Sequence, residues 1–248
     1  MRALLMLAAV IFARAAGAQD ARVPHAELPS AEQPVRRVPT TGYTLAISWA
    51  PEYCHAYRAE RRSSEECRGA RRNGFTLHGL WPDGAGANRW PQYCHPVSIL
   101  SERQMQAGLS ATPSRQLLQH EWAKHGACIG SDPVAYFREE TRLFERLRFP
   151  DMAALADRRG LRAIDVQSAF AAANPGMRRD MMRINANRRG WLEEVWLCLG
   201  LDKRVRACPA EQGGAASDQS IRIQRPEGRF NGSRSSPWRG DSGRDGDG

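Results

Sequence analysis

Six cysteines constrain what this 248-residue chain can fold into more than any other feature. They stand at Cys54, Cys67, Cys94, Cys128, Cys198 and Cys208. The number is even, and no two have the C-x-x-C spacing of a zinc ribbon or a thiol redox motif. Their meaning depends on the compartment. The chain begins MRALLMLAAVIFARAAGAQD, with a basic Arg2, an apolar run from Ala3 to Phe12 and the small residues Ala16, Gly17 and Ala18 ahead of Gln19. This is the pattern of a secretory signal peptide over 1–18. The run falls well short of the ~20 residues that a bilayer-spanning helix needs, and no later stretch approaches that length, so no membrane contact is expected. An exported protein, periplasmic or secreted, follows as the expectation, with the six cysteines forming three disulfides. Fifteen pairings are possible, and spacing does not choose among them.

The organisation around the cysteines is that of one domain with tails. Hydrophobic residues make up 42% of the chain and charged residues 25%, and nothing repeats at a fixed period, which excludes collagen, coiled coil and wholesale disorder. Residues 19–40, rich in Pro and charge, read as a flexible lead-in, and 227–248 as a solvated, disordered tail with four acids and four arginines. Between them, 41–226 carries the folding signals. In YTLAISW, 43–49, large apolar residues alternate with smaller ones, which predicts a strand with one buried face. FTLHGLWP, 75–82, aims Thr76 and His78 to the side opposite Phe75 and Leu77. The segment 131–147 has a Ser or Asp cap, Pro133 in the first turn and apolar residues at helical spacing. Asp165 opens a second helix through Ala173, stopped by Asn174-Pro175-Gly176. WLEEVWLC, 191–198, is β-prone, and SIRIQRP, 220–226, alternates well enough for a closing strand.

The formal charge is +9, and removal of 1–18 takes away Arg2 and Arg14 and leaves +7. An anionic partner fits this balance, as a diffuse attraction that weakens with salt. Only Lys124 and Lys203 are lysines among 36 basic residues, so composition has driven nearly every cation to arginine. A lysine that resists that drive is a candidate for a specific task.

Lys124 lies in QHEWAKHGAC, 119–128, where the titratable groups concentrate. If this segment is helical, His120, Glu121, Lys124 and His125 stand at about 0°, 100°, 40° and 140° around the axis, within one face. The zinc-protease pattern H-E-x-x-H is a near miss. Here the histidines are five apart, their directions diverge by about 140°, and Lys124 adds a cation, so a shared metal ion is poorly placed and no metal or other cofactor is expected. Two imidazoles can instead serve as acid and base in one proton relay, each transfer contributing typically 10²–10⁴-fold. A fixed ammonium stabilises charge developing on a phosphoryl oxygen. The combination, with His78 arriving from a strand, suits metal-free transesterification of a phosphodiester by its neighbouring ribose 2′-OH.

FTLHGLWP and HEWAKHGAC, in that order with cysteines between them, closely resemble the two active-site segments of the secreted ribonucleases of the T-two family. SWAPEYC, 48–54, and WLEEVWLC resemble the family's framework, and the likeness runs from about Tyr43 to Pro226. The resemblance implies an α+β fold, a central antiparallel sheet flanked by helices and braced by disulfides. It also implies an endoribonuclease acting on single-stranded RNA, not DNA, through a 2′,3′-cyclic phosphate with low base specificity. Carried over, His78 is the general acid at the 5′-leaving oxygen and His125 the base at the 2′-OH. His120 binds the substrate phosphate, and Glu121 and Lys124 steady the phosphorane. Trp81 and Asp83 match the first base site, the indole stacking on a base and the carboxylate accepting from an exocyclic amine. Two positions depart from the pattern: Leu117 stands where many relatives carry an aromatic residue for the second base, and Gly84 to Trp90 holds no evident base-contacting tyrosine. The framework implies the pairings Cys54–Cys67, Cys94–Cys128 and Cys198–Cys208. His25, His55 and His95 are expected to be surface or framework residues, and the protein a monomer. A non-catalytic RNA-binding or cytotoxic relative of the same fold is the alternative reading.

Overall fold

The computed structural model describes residues 23–56, 65–67, 74–86 and 90–226. The expected signal peptide and the tail from 227 onward lie outside the described residues.

Four strands form one antiparallel sheet in the order β2-β1-β4-β3. They are β1 (Gly42–Trp49), β2 (Phe75–Asp83), β3 (Met182–Ala186) and β4 (Leu192–Leu199). Alternation along β1 sends Leu45, Ile47 and Trp49 to one face, where they meet Leu77, Leu80, Val195 and Leu197 in a buried cluster. The helices pack on this cluster. Of the described helices α1 (Ala50–Ala56), α2 (Glu102–Met105), α3 (Arg115–Lys124), α4 (Pro133–Glu145), α5 (Met152–Ala156) and α6 (Ala163–Ala173), α3 contributes Leu118 and Trp122, α4 Phe137 and α6 Phe170. Burial of one such side chain stabilises by roughly 1.5–3 kcal/mol. The expected α+β architecture is the one observed.

β2 is an edge strand whose outer side is covered. Its Leu77 and Leu80 amides donate to the Ala111 carbonyl and to Glu140 Oε2, both at 3.0 Å, while Thr112 Oγ1 and Tyr136 Oη donate to the Leu77 and Leu80 carbonyls. With its polar groups satisfied, the edge cannot recruit another strand. One irregularity matters for function. Ala46 pairs with Gly79 and Ile47 with Leu77, so His78 is an extra residue bulged out of β2. The bulge keeps Leu77 and Leu80, three apart, on the core face and sends His78, Trp81 and Asp83 to the other side with Ser48, Glu194 and Trp196.

Several sequence expectations are adjusted. The helix over 131–147 runs 133–145, with Asp132 as its cap accepting from the Val134 amide at 2.9 Å. The helix expected to open at Asp165 starts two residues earlier, because the Asp165 carboxylate reaches back to the Arg162 amide at 2.9 Å. Residues 220–226 do not form a closing strand. Ser220 and Arg222 bridge to different segments, Arg162 and Trp191, so no continuous ladder develops, although Ile221 and Ile223 are buried as the alternation demanded. The five-residue β3 is not among the expected elements. The stretch 23–40, expected to be a flexible lead-in, is laid against the domain: Arg36 and Gln92 exchange backbone hydrogen bonds at 2.9 Å, and Arg37 Nε donates to the Cys94 carbonyl at 2.6 Å. The three disulfides are Cys54–Cys67, Cys94–Cys128 and Cys198–Cys208, the expected set.

Candidate active site

α3 brings its polar residues to β2 through one close approach. A Cβ on Gly79 would fall on the Glu121 carboxylate and lie 2.9 Å from Trp81 Nε1, so only glycine at 79 lets Glu121 lie across the strand. Trp81 Nε1 donates to Glu121 Oε2 at 2.7 Å, and His78 Nε2 stands 3.4 Å from Glu121 Oε1. The helix ends at Lys124. His125 is its cap, and a 3₁₀ turn, Gly126–Cys128, follows, so the continuous helical face predicted for 120–125 breaks one residue early. That break is braced. The Tyr93 amide donates to the Lys124 carbonyl at 2.8 Å, Tyr93 holding a left-handed φ of 50°, and the adjacent Cys94 is bonded to Cys128.

His125 then packs against Trp81, rings stacked with centroids 5.3 Å apart, while His78 meets the same indole edge-on at 5.1 Å. One indole thus touches both imidazoles. Trp196 closes the group against Trp81 at 5.4 Å. The Nδ1 of His78 donates to Glu194 Oε1, a carboxylate that also accepts from Ser48 Oγ at 3.1 Å and from Trp196 Nε1 at 2.7 Å.

The two imidazoles are set in opposite directions. For His78 burial works against the charged ring, but the hydrogen bond to Glu194 and the charges of Glu121, Glu194 and Glu66 outweigh it and push the pKa up to about 9. His125 is buried with its Nδ1 unpaired among the described residues, and burial together with the cations Lys124, His120 and His78 holds it well below 6.5. Burial also raises Glu121, against the pull of His78, His120, the Trp81 hydrogen bond and Lys124. Lys124 is lowered by burial, partly offset by Glu121 and Glu27. At neutral pH one imidazole carries a proton to give and the other is free to take one.

His120 lines a cavity of about 530 Å³ together with His78, Ser48, Leu117, Glu194 and Glu27. Its Nδ1 faces Glu27 Oε2 at 3.5 Å, and the other Glu27 oxygen accepts from Gln116 Nε2 at 2.8 Å.

A family model described as the Ribonuclease T2 family matches residues 41–208, which takes in every one of these active-site groups except Glu27. The chain belongs to the ribonuclease T2 family. Among curated relatives, a probable ribonuclease of Haemophilus influenzae is 27% identical over 185 residues, 71% of this chain and 63% of its own length. A ribonuclease of Aeromonas hydrophila is 32% identical over 168 residues, 63% of this chain and 70% of its own. Ribonuclease I of Escherichia coli is 29% identical over 169 residues, 52% of this chain and 63% of its own. The chain thus spans a little under two thirds of the first and third of these. Two solved structures share the T2 fold. Trichomaglin, described as an S-like ribonuclease, superposes with a TM-score of 0.59 at 20% identity, covering 74% of this chain and 98% of that one. RNase NT in complex with 5′-AMP superposes at 0.52 and 22% identity, covering 76% and 99%.

Of the residues picked from the sequence, this T2 domain gathers His78, Trp81, Glu121 and His125 into one contact group and sets Lys124 and His120 beside it. Asp83 stands apart. Both its oxygens accept from Thr44 Oγ1, at 3.1 and 3.0 Å, and burial raises its pKa against the pull of Thr44, Arg206 and Gln212. Three acids escaped the sequence reading. Glu194 lies in WLEEVWLC, where alternation puts it on the Trp196 face, so an acid sharing a strand face with a tryptophan was the available signal. Glu66 is held by the Cys54–Cys67 bridge next to it and accepts from Thr76 Oγ1 at 3.2 Å. Glu27 had no signal, because only tertiary packing brings the N-terminal stretch to His120.

Proposed function

We propose that this chain is an exported endoribonuclease that cleaves single-stranded RNA by 2′-OH transesterification through a 2′,3′-cyclic phosphate, with low base specificity. The observation that carries the reading is the pair of imidazoles packed on Trp81 with opposite proton affinities, the arrangement general acid–base catalysis needs. Neutral His125 takes the ribose 2′-OH proton, and the 2′ oxygen attacks phosphorus. The P–O5′ bond breaks as the leaving oxygen takes the proton of His78. Water then opens the cyclic phosphate with the two imidazoles in exchanged roles.

His120 binds the phosphate. Lys124 stabilises charge growing on the phosphoryl oxygens, and Glu121, tied to Trp81 and facing His78, orients the site. Trp81 offers a stacking surface to a base, worth ~1–3 kcal/mol and tolerant of base identity. The nucleotide bound to RNase NT agrees with a base-and-phosphate site in this fold. DNA lacks the 2′-OH nucleophile and is not cleaved. Three disulfides agree with an oxidising compartment, reached after removal of 1–18.

The test is digestion of single-stranded RNA by the purified oxidised protein in excess EDTA, beside matched DNA and the variants His78→Ala and His125→Ala. Cleavage of RNA alone, ending in 2′,3′-cyclic phosphate and lost in both variants, is the expected result. No cleavage by folded wild-type protein sinks the reading in favour of a binding module.

A further inference from the structure

Glu194 belongs to no active-site segment picked out above, yet it is the acid most tightly engaged with the catalytic group. It lies on β4, two strands away from His78 in the sheet order, and crosses over Ser48 to reach it. Its two oxygens are fully committed. Oε1 accepts from His78 Nδ1 and from Ser48 Oγ at 3.1 Å, and Oε2 accepts from Trp196 Nε1 at 2.7 Å. Burial disfavours its charge, but the His78 hydrogen bond and charge, with Trp196 and Ser48, hold its pKa below the ordinary value, so the pair is carboxylate and imidazolium. The other ring nitrogen is treated differently. His78 Nε2 is 3.4 Å from Glu121, beyond a normal N–H···O hydrogen bond, and is left available on the side of the site.

We propose that Glu194 is the positioning residue for the general acid: its carboxylate holds the His78 ring by Nδ1–H, keeps Nε2–H aimed at the reacting phosphate and, once that proton is given, holds the ring in its Nδ1–H tautomer. A ring tethered at one nitrogen by a carboxylate that is itself tethered by two further donors has one orientation, and that saves the rotational freedom a loose imidazole would lose in the transition state. The charge matters as well as the tether. The groups that face His78 are Glu194 on β4, Glu121 on α3, Glu66 beside the Cys54–Cys67 bridge, the buried Glu140 on α4 and the neighbouring His125. Among these acids, Glu194 alone hydrogen-bonds the ring. Glu121 cannot replace it, because its Oε2 is bound to Trp81 and its Oε1 faces the nitrogen that must stay free.

This inference rests on the proposed function, and two independent measurements separate them. The first is the pH dependence of kcat and KM on a dinucleoside phosphate for wild type, Glu194→Gln and Glu194→Asp. Gln keeps the shape and an acceptor for Nδ1 but removes the charge. Its kcat is expected to fall on the order of 10²-fold, with KM changed less than about threefold and the alkaline limb moved about 1–3 pH units toward acid. Asp restores part of the rate. A residue that merely props up the fold would lower the melting temperature without moving the limb. A folded Glu194→Gln with kcat within about twofold of wild type and an unmoved limb overturns the proposal. The second is NMR titration of His78 in the RNA-free proteins, which needs no activity. If no variant and no wild type cleaves RNA, the function fails while this titration still decides the positioning role. A wild-type His78 that titrates near 6.5, or one unchanged by Glu194→Gln, overturns it.

Discussion

Replacing Gly79 by alanine tests whether the close approach of α3 to β2 is what sets Glu121 in the site. The backbone at Gly79 does not need a left-handed φ, so alanine carries no conformational penalty there. In the unfolded chain the exchange removes freedom and by itself stabilises the protein by about 0.4–1 kcal/mol. Against this stands the collision. The added Cβ falls on the Glu121 carboxylate, 2.6 Å from its Cδ and 2.9 Å from Trp81 Nε1, and Glu121 is 1% exposed with no room to withdraw. Overpacking of this kind costs about 1–3 kcal/mol. Gly79→Ala is therefore expected to destabilise by about 1–2 kcal/mol net, a fall in Tm of about 2–8 °C for a domain of this size, with RNA cleavage reduced because Glu121 and Trp81 are displaced. The decisive assay is a double-mutant cycle of denaturant melts. In a Glu121→Ala background the carboxylate is gone, and Gly79→Ala is then expected to be neutral or stabilising. The same destabilisation in both backgrounds would refute the steric reasoning.

The other predictions concern pH, the disulfides and the N-terminal stretch. Because His125 must be neutral and His78 protonated, kcat/KM should rise through a limb below pH 6.5, run flat, and fall through about 9; an alkaline limb that already falls below pH 6.5 contradicts the assignment. Folding raises the His78 pKa from 6.5 to about 9, so that contribution to stability is fully present below 6.5 and is lost as the pH rises through 9, which guanidinium midpoints at the two ends would read. The Cys94–Cys128 bridge closes a 34-residue separation and its removal as Cys94→Ala with Cys128→Ala should cost about 4 kcal/mol, against about 3 for the 10-residue Cys198–Cys208 loop. Thermal melts compare the two, and activity per folded molecule should fall only for the first, which braces the turn after His125. Glu27→Gln removes the carboxylate opposite His120 and should lower KM for RNA with little change in kcat, since an anion at the phosphate-binding histidine opposes the substrate phosphate; steady-state kinetics at low salt measures it.

Much of the site was legible before folding because its residues sit in two short segments with local order. FTLHGLWP alternates, so the direction of His78 relative to Phe75 and Leu77 follows from strand geometry alone, and the spacing of His120, Glu121 and Lys124 follows from the helix. Local rules failed where the chain departs from regular geometry. The helix ends one residue before His125, held there by Tyr93 and the Cys94–Cys128 bridge, neither of which a periodicity argument can see. The bulge at His78 was equally hidden, since it depends on the register of β1 against β2. Asp83, matched to a base site by its place in the motif, has both oxygens accepting from Thr44.

Residue types and short spacings carry the chemistry: which residues can exchange protons near neutrality, which cation was kept as lysine, and that six cysteines cross-link the domain. Side-chain type and local period suffice for those statements. How those groups behave comes from folding, which sets His78 and His125 apart in proton affinity and recruits Glu194, Glu66 and Glu27 from distant parts of the chain. A pKa depends on burial and on charges within a few ångströms, and three-dimensional packing, not neighbourhood in sequence, supplies both.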